Sequence, residues 1–599
     1  MFQIKLSKLA IFSHLCVLMK KYFSIVLSLI VSIAAFAQET SGKWNGNFSF
    51  LAGTFSYSLG EFKAAAGYSA PVVKLKLDAD LSYYSKITEN TGISFSDVKD
   101  LSFISNYKVD YGSTSSSRWD AKLGCVLDWA PDSRNSFIFF LRSSFDHDSP
   151  VKTNMTADGR TDVDTDAEIK YSYTTETIKN IKSVSSAGIN FVHRFEKSGR
   201  ELSAHLDGKM EYIDKNSEWM VGDIKGDTDN LTKHYRVTPE QYDGDFSARA
   251  AYSDKDFLGV SGLDIGLSLK ALLKTNSDHQ EAATMIGNQW VDSTSFRENF
   301  NFRRLTLNSR LRVEYSAGPW KFRLAYIPEF SIYRLDSDSQ RGEATADSWA
   351  HLYDCTIALA PWKGGEFTLS GVSSIARPSY IQTCRFLRTG NYMDEFYIGN
   401  PYLIPASTYN TTLGYSHTVG IFTARLEGGY KHESDKIEQV LQNWEFEGAS
   451  YRIYTWINGG KAQTVNARLF LEWRVKAFKA VLTGKYNYFI GTSNEGNVKR
   501  NSDYSIDGEA SYKVATWTFL LKGRYQSKII RSYQSITEIV GCDVRIDKDF
   551  KHFGVFADCR DLFDKPVEIT TLTKDQTSGR VERAINNKRI FLLGVKYKF

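Results

Sequence analysis

The chain contains little cysteine and little proline, with 6 Cys and 11 Pro among 599 residues. So few cysteines exclude a small scaffold held together by disulfides. Five of them, an odd number, follow residue 37, so at least one thiol of the processed chain is unpaired. Long apolar runs are also missing beyond Ile33, where no window reaches the roughly 18 residues of a membrane-spanning helix. The sequence therefore excludes a helical membrane protein.

Signals for catalysis and for nucleic-acid binding are absent as well. There is no zinc-protease motif, nucleophile elbow, phosphate loop or dinucleotide fingerprint, so we predict neither an enzyme nor a cofactor. The 74 basic and 69 acidic residues nearly balance, which gives no electrostatic reason to expect a nucleic-acid partner.

One acidic stretch invites a metal hypothesis. Its carboxylates alternate at Asp162, Asp164, Asp166 and Glu168, and carboxylate oxygens are ligands that Ca²⁺ accepts. The stretch lacks the glycine that an EF-hand loop needs at its sixth position. We therefore predict a solvated acidic loop and no metal site, with these four residues as weak candidates.

The N-terminus has the layout of a secretory signal peptide. Lys20 and Lys21 precede an apolar run over 22–33, and Ala35, Phe36 and Ala37 stand before Gln38. This order of basic, apolar and small residues predicts cleavage after Ala37. Because the signal is complete from Met19 onward, Met19 is an alternative translation start. We expect residues 1–37 to be the signal peptide and residues 38–599 to be the mature protein.

Aromatic residues are abundant for a chain of negative mean hydropathy. There are 33 Tyr, 38 Phe and 12 Trp, at a mean hydropathy of −0.34. A transmembrane β-barrel combines an apolar outer band and aromatic girdles with a polar lumen. Composition alone also permits a secreted β-sandwich.

Alternation with a period of two runs through the chain. Leu305, Leu307, Leu311, Val313 and Tyr315 are separated by polar or charged residues, and similar stretches surround Leu469 and Phe519. In a barrel one face of such a strand meets lipid and the other lines the lumen. The predicted lumen wall carries mixed charge, from Arg304, Arg310, Arg312, Lys321, Arg323, Asp507, Glu509, Lys522 and Arg524.

The last residues repeat the same alternation. The apolar positions are Phe591, Leu593, Val595, Tyr597 and Phe599, and outer-membrane barrels finish on such a strand with an aromatic terminus. We expect it to be the C-terminal assembly strand, which the barrel assembly machinery would recognise.

Short and long connections alternate along the chain, as periplasmic turns and extracellular loops do in barrels. The predicted short turns lie at 130–134, 316–319, 361–365, 418–420, 475–477, 514–516 and 549–552. The predicted long loops lie at 147–180, 215–241, 276–300, 378–404 and 563–585. A rim of tryptophans flanks the short turns, at Trp129, Trp320, Trp362, Trp473 and Trp517.

These patterns predict an all-β fold, a transmembrane antiparallel β-barrel of about 22 strands within a range of 20 to 24. Residues 44–86 fit either two or four of those strands. The location that follows is the outer membrane of a Gram-negative bacterium, with membrane lipid as the surrounding partner. If Asp549 and His552 flank a two-residue turn, Cys542 faces Cys559 and a cross-strand disulfide becomes possible.

A motif in the middle of the chain begins at Arg377 and Pro378 and resumes at Gly399, Asn400, Pro401, Leu403 and Pro405. With this motif the middle of the chain resembles the barrel of TonB-dependent receptors. The resemblance implies transport across the outer membrane. The prolines around Gly399 and Asn400 themselves predict a rigid turn that starts a strand, which is a structural role for the motif in any barrel. The chain departs from the family at Ala406, where glutamate is usual, and at Cys384 and Arg385.

A further departure concerns the plug that such receptors carry before the first strand. Strand-like sequence begins near Trp44, which leaves no room for a plug between Gln38 and that strand. We therefore expect a barrel that lacks the plug. It would transport an unidentified solute with a separate plug-like or surface lipoprotein partner. The sequence does not tell whether TonB drives this transport. The alternatives are an occluded barrel serving as a surface binding or structural module, and a passive porin-like channel.

Overall fold

The computed structural model describes residues 43–598 apart from 55–56, 101–102, 161–168, 226–227, 293–297, 338–343, 384–387, 390–394, 447–448, 493–497, 531–533, 564, 566, 573–578 and 586–588. Strands make up nearly all of this part of the chain, and the helical elements are a one-turn helix at Tyr380–Thr383 and a 3₁₀ turn at Phe257–Gly259. No helix in these residues is both long enough and apolar enough to cross a bilayer.

Thirty strand segments form one sheet. In chain order they are β1 Lys43–Thr54, β2 Tyr57–Ser69, β3 Val73–Asp100, β4 Phe103–Trp129, β5 Asn135–Asp148, β6 Val151–Arg160, β7 Ile169–Arg194, β8 Arg200–Lys225, β9 Thr228–Asp254, β10 Leu263–Ile286, β11 Gln289–Asp292, β12 Glu298–Ala317, β13 Trp320–Ser337, β14 Ala344–Trp362, β15 Gly365–Ala376, β16 Arg388–Thr389, β17 Glu395–Tyr397, β18 Ala406–Val419, β19 Phe422–Phe446, β20 Ala449–Val475, β21 Phe478–Thr492, β22 Val498–Val514, β23 Trp517–Gln526, β24 Ile529–Ile530, β25 Gln534–Ile536, β26 Ile539–Asp549, β27 Phe553–Arg560, β28 Val567–Leu572, β29 Gly579–Ile585 and β30 Ile590–Lys598.

The sheet closes into a barrel of 22 strands, as the sequence predicted. Eight short segments lie outside the ring: β6, β11, β16, β17, β24, β25, β28 and β29. The remaining strands each pair antiparallel with the next one along the chain. β30 then pairs with β1 and closes the ring. A closed ring leaves no edge strand whose backbone groups would meet hydrocarbon unpaired.

The outer face of this ring is apolar. Leu311, Leu324 and Leu482 have exposed fractions of 51%, 56% and 44%, while charged neighbours on the same strands point to the other side. A soluble sheet would bury these leucines, because their exposure to water costs free energy. In a membrane the same surface contacts lipid.

Aromatic side chains form a rim at the short-turn end of the barrel. The five predicted tryptophans all lie within two residues of a strand end there, and each is between 38% and 49% exposed. Several stack with a neighbouring ring, as Trp129 does with Phe137 at 5.1 Å between centroids. Indole rings favour the membrane interface, so this rim marks one boundary of the bilayer.

The short turns lie where the sequence predicted them, with one shift. β26 and β27 are joined through Phe550–Phe553, because Phe550 N–H donates to the Phe553 carbonyl at 2.6 Å and Asp549 pairs with Gly554. This register sets Val544 opposite Cys559. The predicted register, which set Cys542 opposite Cys559, was therefore wrong by two residues. Both thiols are free.

The predicted long loops are mostly strand rather than irregular chain. β8 and β9 run for 26 and 27 residues, far beyond the roughly 9 to 11 that cross a membrane. Their strand pairing continues past the bilayer. Residues such as Thr and Tyr favour strands, and they do so in the part of the barrel that meets water as well. Residues 44–86 hold β1, β2 and the start of β3, so both readings of that region, two strands or four, were wrong.

The C-terminal strand alternates as predicted over its described residues. Phe591, Leu593, Val595 and Tyr597 are 42%, 70%, 48% and 39% exposed, whereas Leu592 is only 1% exposed. Leu592 packs inside the barrel with Phe556. Phe599 lies outside the described residues, and the role of this strand in assembly stays a prediction.

Candidate functional site in the lumen

The connection between β15 and β18 folds against the inner wall of the barrel. It starts at Arg377, forms the one-turn helix Tyr380–Thr383, and reaches β18 after Pro405. We call its first part, residues 377–383, the strap. The strap is the part of the family-like motif that meets the lumen.

Tyr380 anchors the strap in an aromatic cluster. Its ring lies 5.0 Å from that of Phe300 and 6.2 Å from that of Phe302, and Leu335 completes the cluster. All four side chains are at least nine-tenths buried. The Tyr380 hydroxyl accepts a hydrogen bond from Gln241 Nε2 at 2.9 Å, which ties the strap to β9.

Arg377 and Pro378 connect the strap to β12 and β13. Arg377 forms an ion pair with Glu329, and both side chains are nearly buried, at 12% and 13% exposed. Arg377 Nε also donates to Ser348 Oγ at 3.3 Å. The Pro378 carbonyl accepts a hydrogen bond from Arg304 Nη2 at 2.5 Å. A buried ion pair fixes the positions of its two side chains, because separating them would leave a buried charge without a partner.

The second part of the motif makes a turn that starts β18. Asn400 Oδ1 accepts from Tyr402 N–H at 3.0 Å, while its Nδ2 donates to the Trp456 carbonyl on β20 at 3.0 Å. Leu403 is 7% exposed, and Gly399 is buried too. Pro401 and Pro405 flank the buried Leu403 in the chain. The structural role of the whole motif stays a prediction.

Below the strap, arginines follow one another down the same wall. Arg310 Nη2 bonds Asp354 Oδ2 at 2.8 Å and Arg323 Nη2 bonds Asp354 Oδ1 at 3.3 Å, so two guanidinium groups share one carboxylate. Arg312 lies nearby and pairs with Glu314 at 3.5 Å. We call Arg304, Arg310, Arg312 and Arg323 the arginine wall.

Elsewhere the lumen carries balanced pairs. Lys522 and Glu509 are 3.2 Å apart, and Arg468 and Glu427 are 3.8 Å apart, with exposed fractions of 49% and 41% in each pair. Asp507 and Arg524 face each other across β22 and β23. The predicted mixed charge is therefore present, but it is arranged differently on different walls.

A buried charge also lies beyond the membrane, where β7 and β8 extend past the bilayer. Glu176 is 3% exposed and Lys152 bonds it at 3.0 Å. Burial lowers the pKa of neighbouring Lys215, because water no longer stabilises the ammonium form. Burial likewise raises the pKa of Tyr235.

The metal hypothesis is not addressed by the structure, since Asp162, Asp164, Asp166 and Glu168 lie outside the described residues. In the part of the chain that is described, no three His, Cys, Asp or Glu side chains are grouped to hold a metal ion. Sequence reasoning placed Arg310 and Arg323 in the lumen but missed Asp354, which pairs with both from β14. It also missed Glu329, which pairs with Arg377 from β13. The sequence signal that could have found these two acidic residues is the alternation along their strands, which places both on the inward-facing side.

Solved structures with a similar fold are outer-membrane receptors and transporters. The copper transporter OprC matches with a TM-score of 0.62 and 11% identity, over 94% of this chain and 81% of that one. The ferripyoverdine receptor of Pseudomonas aeruginosa matches at 0.58 and 13%, over 94% and 72%. The ferric citrate transporter FecA matches at 0.55 and 11%, over 93% and 78%. Identities this low show the fold alone, and at that level the resemblance to TonB-dependent receptors is confirmed.

Comparison at the sequence level assigns the chain to a protein family. A search of curated protein sequences finds no match, but a family model described as the outer membrane protein beta-barrel family matches residues 193–597. That range runs from the end of β7 to β30 and thus covers most of the ring. The protein is therefore placed in the outer membrane, and the chain belongs to the outer membrane protein beta-barrel family.

Proposed function

We propose that this barrel transports a small solute across the outer membrane, and that a plug-like domain or a surface lipoprotein, supplied separately, closes its lumen. The observation that carries the proposal is the closed ring of 22 strands with a charged inner wall. A ring of this size encloses a lumen wide enough for a solute, and outer-membrane barrels of 22 strands are transporters whose lumen is plugged. The charged wall keeps that lumen hydrated.

Further parts of the proposal concern processing and assembly. We place signal-peptide cleavage after Ala37, with the barrel formed by residues 38–599. The alternating strand β30 would be presented to the barrel assembly machinery before it pairs with β1. N-terminal sequencing of protein from outer membranes would test the cleavage site, because any start other than Gln38 contradicts it.

The transport proposal is tested by the purified protein in planar bilayers, together with affinity purification from cross-linked outer membranes. We expect low conductance from the barrel with its partner, a marked increase when the partner is removed, and recovery of a periplasmic plug-like protein or a surface lipoprotein. A large, permanent conductance without any partner would identify a passive channel instead. Silence in both preparations with no partner recovered would favour an occluded surface module and contradict transport.

A further inference from the structure

The arginine wall presents more positive charge to the lumen than its ion pairs suggest. Asp354 is only 18% exposed, whereas the two arginines that share it, Arg310 and Arg323, are 37% and 44% exposed. The carboxylate is thus recessed behind two guanidinium groups. A solute in the lumen meets the cations first, because the nearer and more hydrated charges dominate the local field.

Both arginines also keep hydrogen-bonding capacity. A guanidinium offers five N–H donors, and Arg310 and Arg323 each reach Asp354 through Nη2 alone. Arg310 Nε is buried and meets no acceptor among the described residues. Planar donors of this kind bind carboxylate and phosphate oxygens in pairs.

The remaining arginines extend the same surface in both directions along β12. Arg312 is two residues from Arg310 on the inward face of β12, roughly 7 Å along the strand. Arg304 lies six residues from Arg310 in the other direction, under the strap, where it bonds a backbone carbonyl. Cations therefore occur at several depths of one wall. Arg310 and Arg323 differ from the other pairs because their shared carboxylate is recessed, whereas the Arg312–Glu314, Lys522–Glu509 and Arg468–Glu427 pairs expose both charges to similar extents.

From this arrangement we propose that Arg310 and Arg323 form an anion-binding site in the lumen, which binds the carboxylate or phosphate group of the transported solute. The inference rests on the proposed transport function and gives that function a substrate class, an anionic small molecule. Arg304 and Arg312 lie above and below this site and steer the anion along the wall.

The test is isothermal titration of the full chain, solubilised in detergent, with citrate and with inorganic pyrophosphate, and with sucrose as a neutral probe. We expect both anions to bind, sucrose not to bind, and the anion affinity to fall as salt is added. Arg310→Gln and Arg323→Gln should each weaken binding about tenfold, since each removes a charge-assisted hydrogen bond. Arg323→Lys should lose less, because it keeps the charge and gives up only the planar fork.

Arg468→Gln is the matched control, since it removes an arginine from a balanced pair on another wall. It should change affinity by less than about twofold. Failure of both anions to bind at about 10 mM, or an equal loss in Arg468→Gln, would overturn the site. Binding to the solubilised barrel needs no partner, so a barrel that binds anions but neither conducts nor takes up solute would contradict the transport proposal alone.

Discussion

At the scale of single residues, the ion pair between Arg377 and Glu329 decides whether the strap stays on the wall. Both side chains are nearly buried, so Arg377→Ala would leave the Glu329 carboxylate in a poorly hydrated place without its partner. Breaking a buried pair in this way costs about 3 kcal/mol. We expect the free energy of unfolding of the barrel, measured by urea titration in lipid vesicles, to fall by about that amount.

Arg468→Ala provides the comparison for this experiment. Its pair with Glu427 is half exposed and 3.8 Å long, so solvent screens the interaction and the loss should stay below about 1 kcal/mol. Replacing Glu329 by Gln in the Arg377→Ala background should recover part of the stability, because no carboxylate is then left unpaired. Equal effects of Arg377→Ala and Arg468→Ala would show that the strap does not depend on its buried pair.

At the scale of elements, the strap is an irregular segment whose place depends on one aromatic anchor. Tyr380→Ala removes the ring that packs on Phe300 and Phe302, and large-to-small changes in such a cluster cost about 3 kcal/mol. The strap should then open locally without unfolding the barrel. We expect limited proteolysis within residues 377–405 to speed up at least about tenfold, measured by mass spectrometry of the fragments.

Tyr402→Ala is the control, since it tests whether removing any tyrosine from this connection speeds up proteolysis. Tyr402 is 78% exposed, so its removal should leave the proteolysis rate within about twofold of the unchanged protein. If Tyr402→Ala accelerates cleavage as much as Tyr380→Ala does, the aromatic cluster is not what holds the strap.

The strands were predictable from sequence because lipid on one side and water on the other impose a period of two. Leu305, Leu307 and Leu311 could face only outward once their arginine neighbours were assigned to the lumen. The strap was not predictable, since its position depends on contacts with β9 and β12 that lie far away in the chain. Gln241 and Phe300 carry no local signal that Tyr380 will meet them. The same applies to Asp354, which joins Arg310 and Arg323 from a third strand.

At the scale of the whole molecule, the walls of the barrel differ in height and in charge. β3, β4, β7, β8, β9, β19 and β20 have 25 to 28 residues each, whereas β23, β27 and β30 have 8 to 10. The long strands project well past the bilayer on the side away from the short turns. At β23–β30 the wall is continued by separate short segments, since β25 pairs with β28, β28 with β29, and β29 with the far part of β3. A partner that closes the lumen would therefore meet continuous long strands on one part of the rim and short paired segments on the other.

Substitutions at two adjacent residues can test which face of the barrel strands meets lipid and which lines the lumen. Leu482 is 44% exposed on the outer face and lies near the middle of the span of β21, so Leu482→Arg should destabilise the folded barrel by about 2 to 4 kcal/mol. Thr483 faces the lumen opposite Asp507, and Thr483→Arg should change stability by less than about 1 kcal/mol because the new charge has a partner and water.

Both variants add the same side chain one position apart, so the introduced side chain and the change in net charge are matched between them. Urea unfolding in vesicles gives the two free energies directly. Since a shift of one residue exchanges the faces of a strand, a larger loss for Thr483→Arg than for Leu482→Arg would mean that the charged face meets lipid. That outcome would remove the hydrated lumen and, with it, the arginine wall as a path for an anion.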